Sequence, residues 1–342
     1  MGGKNYETSG RSTNGKFNII MRYLNTKDIN DLGQDWPGLI SVIEQAVIMI
    51  DKNDFSQPIK PYLRFREPRN RIIAMPAYIG GDIDVAGIKW IASFPDNINK
   101  GLSRAQSVTI LNDTGTGAPF CIINTSLVSG IRTAAVSGLI VRKYIEAKQI
   151  KGKLKVGMTG FGPIGQLHLG MINGMLGSSL ETVCLHDIRP LDLSQYPNPV
   201  GDKLRVCNSY EEAFEDADIF ITATVSKEPY ISIRPKPGSL HLNVSLRDYR
   251  SGFIAYVDRM IVDNWEEVCR ENTDIERMFL NEGLKKEDTI DIATVVNRFV
   301  PQYLKQDEVV MFNPMGMAVF DMAIAKHYYD LAQAAGVGCE LN

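Results

Sequence analysis

The second part of the chain alternates between short apolar runs and stretches with helical spacing. The apolar runs predict six strands, at residues 154–158, 183–185, 204–207, 219–224, 240–245 and 260–262. Helical spacing follows the first strand as far as residue 175, a capping box at 209–212 opens a short helix, and residues 264–280 predict a long polar helix. Strands that alternate with helices are typical of a parallel sheet with helices on both faces. We therefore predict a six-stranded, doubly wound α/β sheet between about residues 134 and 310.

The first part of the chain is organised differently, because several short strands follow one another with few helices between them. Strand patterns occupy residues 18–24, 57–66, 71–75, 85–93, 107–111 and 119–123, and helical spacing occupies 39–50 and 126–147. This pattern predicts a compact α+β unit. An amphipathic helix within residues 309–335 can cross back to pack on that unit.

The predicted domains are residues 19–133 together with 311–342, and residues 134–310. Residues 1–18 are polar and rich in Gly, Ser and Asn, so we predict that they are disordered.

The first strand of the second part leads into a glycine-rich turn. Gly160, Gly162 and Gly165 have the G-x-G-x-x-G spacing, a helix pattern follows at once, and Asp187 ends the next strand. Strand, turn, helix and an acid about 20 residues further on form the context of a dinucleotide fingerprint, as in a Rossmann sheet. Gly160 permits the tight turn, Gly162 lets backbone N–H groups approach a pyrophosphate, and Gly165 lets the helix pack close to the strand. Pro163 suits the first helical turn because its missing N–H would have no partner there. The alternative is a glycine-rich turn that binds nothing.

Asp187 also bears on the choice of cofactor. A carboxylate at this place accepts hydrogen bonds from both ribose hydroxyls and repels a 2′-phosphate, so the sequence favours NAD over NADP. Arg189 weakens this preference, since an arginine just past the acid can hold a phosphate.

Composition excludes several classes of function. The chain has 342 residues, enough for roughly two domains of about 150 residues each. Its net charge of −3 gives no electrostatic case for binding nucleic acid or an anionic membrane. No apolar run approaches the ~20 residues that span a bilayer and the N-terminus lacks the apolar core of a signal peptide, so we expect a cytoplasmic protein. Five cysteines without a C-x-x-C pair predict buried free thiols, and four histidines without metal-ligand spacing predict no metal site.

Basic residues in the first unit predict an anionic or zwitterionic substrate. Lys60 and Arg64 share one face of a predicted strand, and Lys89 lies in the middle of an apolar strand. Arg132 lies near the start of a helix among small residues, which leaves room for a carboxylate. The alternatives are a solvated edge strand for the first two, a snorkelling lysine for Lys89, and an ordinary salt bridge for Arg132.

Polar groups also end the predicted strands of the second unit. Thr222 and Thr224 end the fourth strand, and Asp248 follows the fifth. Ligands bind at the carboxyl ends of the strands in such sheets, so the threonines are candidates for cofactor contacts and Asp248 for a general base. The alternative for Asp248 is an exposed turn residue between two arginines.

Together these features resemble the ornithine cyclodeaminase/μ-crystallin family of amino-acid and imine dehydrogenases. The resemblance runs from Tyr23 to the C-terminus and rests on stretches at residues 57–60, 75–77, 87–90, 131–135, 160–165 and 243–248. Within the family, the stretches QPIKPYLR, RIIAMP, GIKWI, ILND and NPMGMA are similar to the branch that makes L-2,3-diaminopropionate for siderophores.

The resemblance implies roles for individual residues. Lys89 and Asp248 look like the catalytic residues: the lysine helps to deprotonate the substrate amine, and the aspartate activates water against the imine. Arg132 looks like the arginine that clamps the substrate carboxylate beside the nicotinamide. The candidate substrate-binding residues are Lys60, Arg64, Lys89, Arg132, Asp248, Met315 and Gly316. The candidate cofactor-binding residues are Ser107, Arg132, Gly160, Gly162, Pro163, Ile164, Gly165, Asp187, Thr222, Thr224, Ser245 and Leu246.

The resemblance implies NAD-dependent cleavage of N-(2-amino-2-carboxyethyl)-L-glutamate to 2-oxoglutarate and L-2,3-diaminopropionate, by a homodimer joined through the first unit. One departure is that Lys60 stands where cyclodeaminases carry an arginine, and a lysine lacks the planar fork that binds a carboxylate in bidentate fashion. Two alternatives stay open. One is an ornithine cyclodeaminase or related amino-acid or imine dehydrogenase, and the other is a non-enzymatic nucleotide-binding protein like the crystallin member.

Overall fold

The computed structural model describes residues 20–67 and 69–341 of the chain. The prediction of disorder for residues 1–18 lies outside the described residues. Within the described part, every helix is too short or too polar to traverse a lipid bilayer.

The elements up to residue 148 form the first part of the fold. Its strands are β1 (Met21–Asn25), β2 (Phe55–Ser56), β3 (Tyr62–Leu63), β4 (Arg71–Ile79), β5 (Val85–Ser93), β6 (Ala105–Asn112) and β7 (Pro119–Asn124). Its helices are α1 (Thr26–Leu32), α2 (Trp36–Asp51) and α3 (Leu127–Lys148).

The elements from residue 154 onward form the second part. Its strands are β8 (Leu154–Thr159), β9 (Leu180–His186), β10 (Leu204–Val206), β11 (Ile219–Thr222), β12 (Leu240–Asn243), β13 (Arg259–Val262), β14 (Thr289–Asp291), β15 (Val310–Asn313) and β16 (Cys339–Leu341). Its helices are α4 (Pro163–Leu176), α5 (Tyr210–Phe214), α6 (Trp265–Val268), α7 (Asp274–Glu282), α8 (Ile292–Arg298) and α9 (Ala318–Ala335).

The first sheet combines the early strands with the end of the chain. Its order is β16-β1-β7-β6-β5-β4-β2, with β3 also paired to β4, and β1 and β7 are its parallel pair among the described strands. Helix α9 packs on β4 and β5, which confirms that the last helix returns to the first unit. Gly87 permits this close approach, because a Cβ there would lie 2.8 Å from Sδ of Met322 in α9 and would overlap the carbonyl oxygen of Ile110.

The second sheet is parallel throughout its described pairings, in the order β10-β9-β8-β11-β12-β15-β13-β14. Its two faces are covered by separate apolar clusters. Along β11, Ile219 and Ile221 join one cluster while Phe220, which points to the opposite face, joins the other. The chain order reverses between β8 and β11, where a doubly wound sheet opens a crevice. The predicted fold class, a doubly wound Rossmann sheet with an α+β unit, is confirmed.

Three details of the prediction were wrong. The second sheet has eight strands and not six, because the short strands β14 and β15 were not recognised as members of the sheet. The predicted strand at 57–66 is only β3, since Pro58 and Pro61 lack the N–H that pairing requires. The predicted helix at 264–280 is two helices, α6 and α7, separated by residues with positive φ at Glu271 and Asn272.

We retain the division into residues 19–133 with 311–342 and residues 134–310 as a proposal. Its internal boundaries fall inside α3 and β15, which run unbroken across them.

Candidate active site

The glycine turn between β8 and α4 has the geometry that the fingerprint predicts. Gly160 has φ +90°, and a Cβ there would lie 2.5 Å from the carbonyl oxygen of Ala223. A Cβ at Gly165 would overlap the carbonyl oxygen of Gly160, so this glycine is needed for the helix to pack against the turn. A Cβ at Gly162 would meet nothing within 4 Å, which leaves open space at the N-terminus of α4. Pro163 and Ile164 begin the helix behind this space. The turn therefore fits a pyrophosphate.

Asp187, just after β9, is tied to the same turn. Its Oδ2 accepts a hydrogen bond from the backbone N–H of Phe161 at 2.8 Å, and Arg189 donates to both carboxylate oxygens at 3.1 Å. Burial acts to raise the pKa of Asp187, but the hydrogen bonds from Arg189 and Phe161 outweigh it and hold the pKa below its ordinary value. The side chain of Arg189 is 62% exposed, so a ribose can displace it.

Asp248 is fully buried beyond the carboxyl end of β12, and not an exposed turn residue. Its two carboxylate oxygens accept hydrogen bonds from the hydroxyls of Thr224 and Ser245, and the hydroxyl oxygens of Ser245 and Thr222 lie 2.9 Å apart. Burial raises the pKa of Asp248 to about 6, although hydrogen bonds from the neighbouring hydroxyl groups act in the opposite direction. A carboxylate with this pKa is ionised at neutral pH and basic enough to accept a proton from water.

Asp274, which the sequence reasoning missed, holds this loop in place. Its Oδ2 accepts hydrogen bonds from the backbone N–H groups of Asp248 and Tyr249 and from the side chain of Asn243, at 3.1, 3.2 and 3.1 Å. Burial raises the pKa of Asp274 to about 7. Leu246, with φ +59°, donates its N–H to Asn243 as well. No sequence signal marked Asp274, because a first-turn aspartate is an ordinary helix-capping residue.

A second buried group forms where β5, α3 and α9 meet. The Nζ of Lys89 lies 2.7 Å from Oδ2 of Asp321, and the Nε of Arg132 lies 2.9 Å from Oδ1 of the same carboxylate. Burial lowers the pKa of Lys89 to about 8, although Asp321 opposes the shift. Burial acts to raise the pKa of Asp321, but Arg132 and Lys89 outweigh it and lower the pKa. Asp321 was also missed, although a lone aspartate within the apolar run AVFDMAIA was a usable signal.

Arg132 keeps part of its guanidinium free for a ligand. Only its Nε has a hydrogen-bond acceptor among the described residues, so the Nη1 and Nη2 donors are uncommitted there. The backbone of Gly316 lies against them: a Cβ there would be 2.8 Å from Nη1, and its φ is +90°. The guanidinium can thus offer two parallel donors to a carboxylate.

Asp263 and Lys60 hold the segment Met315–Gly316 in place against the guanidinium of Arg132. Asp263 accepts the backbone N–H groups of Met315 and Gly316 at 3.0 and 2.6 Å, and the Nζ of Lys60 donates to the carbonyl oxygen of Gly316 at 2.8 Å. Glu267 lies 3.7 Å from Lys60 Nζ. Burial lowers the pKa of Lys60 and raises that of Asp263.

Two candidate residues lie apart from these groups. Arg64 forms an ion pair with Glu271 at 2.5 Å, and 41% of its side chain is exposed. Ser107 is buried and donates its hydroxyl to the carbonyl oxygen of Thr125, just before α3. In the part of the chain that the structure describes, no hydrogen bond or ion pair joins Asp248 directly to Lys89. Lys89 belongs to β5 of the first sheet, and Asp248 follows β12 of the second sheet.

The sequence has relatives along almost its whole length. The profile of the ornithine cyclodeaminase/mu-crystallin family matches residues 27–336. The N-((2S)-2-amino-2-carboxyethyl)-L-glutamate dehydrogenase of Staphylococcus aureus is 34% identical over 340 residues, which cover 95% of this chain and 99% of that protein. A Delta(1)-pyrroline-2-carboxylate reductase of Bacillus thuringiensis is 26% identical, over 83% of this chain and 89% of that protein.

The chain belongs to the ornithine cyclodeaminase/mu-crystallin family. Solved structures share its fold. The Thermococcus litoralis Delta(1)-pyrroline-2-carboxylate reductase, in complex with NADH and L-proline, has a TM-score of 0.83 at 23% identity and covers 94% of this chain and 100% of its own. An archaeal alanine dehydrogenase dimer with bound NAD has a TM-score of 0.79 at 22% identity, over 95% and 99%. The predicted family membership is therefore confirmed.

We expect Asp248→Asn to be more stable than the wild type at high pH, because the substitution removes a buried carboxylate that is ionised there. Because the folded pKa of about 6 lies above the ordinary 3.8, the ionised form is disfavoured by folding. A shift of about two units corresponds to a cost of about 3 kcal/mol, which is present above pH 6 and absent below about pH 4. Urea unfolding at pH 8 and pH 4 measures the difference, with the surface variant Asp202→Asn as control. Equal destabilisation of Asp248→Asn at both pH values would contradict this assignment.

Proposed function

We propose that the chain is an NAD-dependent dehydrogenase that cleaves N-(2-amino-2-carboxyethyl)-L-glutamate to 2-oxoglutarate and L-2,3-diaminopropionate, a siderophore precursor. The observation that carries the proposal is the pair of buried groups, Lys89–Asp321–Arg132 on one side and Asp248 with its hydroxyl partners on the other. The similarity to the S. aureus dehydrogenase over 95% of the chain supports this substrate.

The glycine turn supports a dinucleotide, and Asp187 supports NAD. The open space at Gly162 is the place for the pyrophosphate, and the carboxylate of Asp187 is the acceptor for ribose hydroxyls. NAD, when bound, supplies the hydride acceptor. Candidate cofactor contacts beyond these, at Ser107, Thr222, Thr224, Ser245 and Leu246, are part of the same proposal.

The free donors of Arg132 hold the α-carboxylate of the glutamate moiety and so orient its Cα. Lys89, whose pKa of about 8 leaves a neutral fraction near physiological pH, accepts the proton of the secondary amine. Loss of hydride from Cα then gives the substrate imine.

Asp248 completes the reaction by acting on water. It removes a proton as water adds to the imine carbon, and the carbinolamine collapses with protonation of the departing nitrogen. The balance is one substrate, one NAD and one water consumed, with 2-oxoglutarate, L-2,3-diaminopropionate, NADH and a proton formed.

A reductase acting on a cyclic imine is the second candidate, because several relatives about 26% identical are Delta(1)-pyrroline-2-carboxylate reductases. The same residues can serve both reactions. The two reactions differ in what happens to the imine, which water cleaves in the dehydrogenase. A purely nucleotide-binding role is disfavoured, since it would require neither the ionised Asp248 nor a lysine of lowered pKa.

We also propose a homodimer. Large apolar side chains are exposed in the first unit: Ile59, Leu63, Phe65, Trp90, Ile98 and Leu102. Burial of these side chains between two copies would remove them from water. Light scattering of the purified protein should give the mass of two chains, and the mass of one chain at micromolar concentration would contradict the dimer.

The substrate is tested by following NADH absorbance with N-(2-amino-2-carboxyethyl)-L-glutamate and NAD, with NADP and with L-ornithine in parallel. We expect NADH and 2-oxoglutarate from the first mixture, and a fall in turnover of about 100-fold or more in Asp248→Asn while NAD binding survives. Absence of NADH there, with ammonia and proline formed from ornithine, would show that the chain is a cyclodeaminase instead. Unchanged turnover in Asp248→Asn would contradict the role of the aspartate.

A further inference from the structure

A set of arginines lies close to the site but has no part in the mechanism above. Arg64 and Arg71 come from the edge of the first sheet, and Arg247 comes from the loop of Asp248. The guanidinium groups of Arg64 and Arg71 lie 5.4 and 5.3 Å from the ring centroid of Tyr62. We call Arg64, Arg71 and Arg247 the arginine cluster.

The positive charge of the arginine cluster is poorly balanced. Glu271 is the carboxylate that contacts it among the described residues, at 2.5 Å from Arg64 and 3.6 Å from Arg71. Arg247 donates only to backbone carbonyl oxygens, those of Ser245 and Glu271 at 3.4 and 3.0 Å. Arg64 and Arg71 therefore share one carboxylate, and Arg247 makes no ion pair with a described residue, since Asp274 and Glu271 attract it only from a longer distance.

Such an excess of half-buried positive charge favours an anionic ligand, because desolvated cations are costly unless they are paired. Arg71 belongs to β4, on the same face of the first sheet as Lys89, and Arg247 belongs to the loop that carries Asp248. Arg64, in contrast, is largely committed to Glu271 at the rim.

The arginine cluster stands at a defined place relative to the catalytic lysine. On the first sheet Lys89 pairs with Met75, and Arg71 pairs with Ser93, four residues further along β5. Residues two apart on a strand share a face, so Lys89 and Arg71 point to the same side, about 13 Å apart along the strand. Arg247 directly precedes Asp248. Arg71 thus lies at the far end of the face that carries Lys89.

We propose that Arg71 and Arg247 bind a second carboxylate of the substrate, so that the site selects amino acids with carboxylates at both ends. This inference rests on the proposed function, whose substrate carries further carboxylates beyond the one held by Arg132. L-Ornithine and L-alanine have no second carboxylate to satisfy the arginine cluster. Specificity within the family would then reside in Arg71 and Arg247, and not in the residues of the hydride-transfer step.

The test measures binding without turnover, by titrating the NADH-saturated protein with glutarate and with butyrate in a calorimeter. Glutarate carries two carboxylates and butyrate one, and neither can be oxidised at an amine. We expect the wild type to bind glutarate at least about tenfold more tightly than butyrate. That ratio should fall towards one in Arg71→Gln and in Arg247→Gln. Arg69→Gln is the matched control, because Arg69 is an exposed arginine already paired with Glu67 and Asp96.

A purely structural role would give a different result. If the arginine cluster only ties the two sheets together through Glu271, Arg71→Gln and Glu271→Gln would both lower the melting temperature, and the glutarate-to-butyrate ratio would stay unchanged. That outcome overturns the proposal, as does equal binding of the two probes by the wild type. If the proposed substrate is wrong but this proposal is right, no NADH will form while the preference for glutarate over butyrate remains.

Discussion

The site depends on one buried carboxylate, Asp321, which lies between two buried cations and forms an ion pair with each. Without it, Lys89 and Arg132 would face each other unpaired inside the protein, and loss of one partner from such a group typically costs about 3–5 kcal/mol. Asp321 is 1% exposed and belongs to α9, whereas its partners belong to β5 and α3. The interaction therefore ties together three elements that are remote in the sequence, and it fixes the direction of the Arg132 guanidinium.

The second constraint is the alignment of strand ends in the parallel sheet. Thr222, Asn243 and Asn313 end three neighbouring strands, and the amide of Asn243 donates to Asn313 at 2.8 Å and to Asp274 at 3.1 Å. This buried polar network carries the loop that places Asp248 among hydroxyl groups. The two halves of the site therefore differ in charge. Beside the first sheet, Lys89 and Arg132 share one carboxylate, whereas beside the second sheet Asp248 is a carboxylate of raised pKa.

The sequence pointed to those parts of the candidate site whose signal is local. The glycine turn, Lys89, Arg132 and Asp248 each stand in a recognisable stretch, and their neighbours in sequence already suggest a role. Asp321 and Glu267 were missed because their partners lie far away, 232 residues apart for Lys89 and Asp321 and 207 for Lys60 and Glu267. The prediction of a strand at 57–66 was wrong for a local reason. The alternation of residues is regular there, but two prolines lack the N–H that pairing requires.

The most direct check on the buried ion group is the pKa of the Lys89 amine, read by NMR of side-chain resonances and assigned by its disappearance in Lys89→Arg. The structure predicts a pKa of about 8 in the wild type. It predicts a still lower value in Asp321→Asn, because the favourable interaction with the carboxylate is lost while burial remains. Titration of Lys89 near the ordinary lysine value of about 10.4 in both proteins would contradict a buried Lys89–Asp321–Arg132 group.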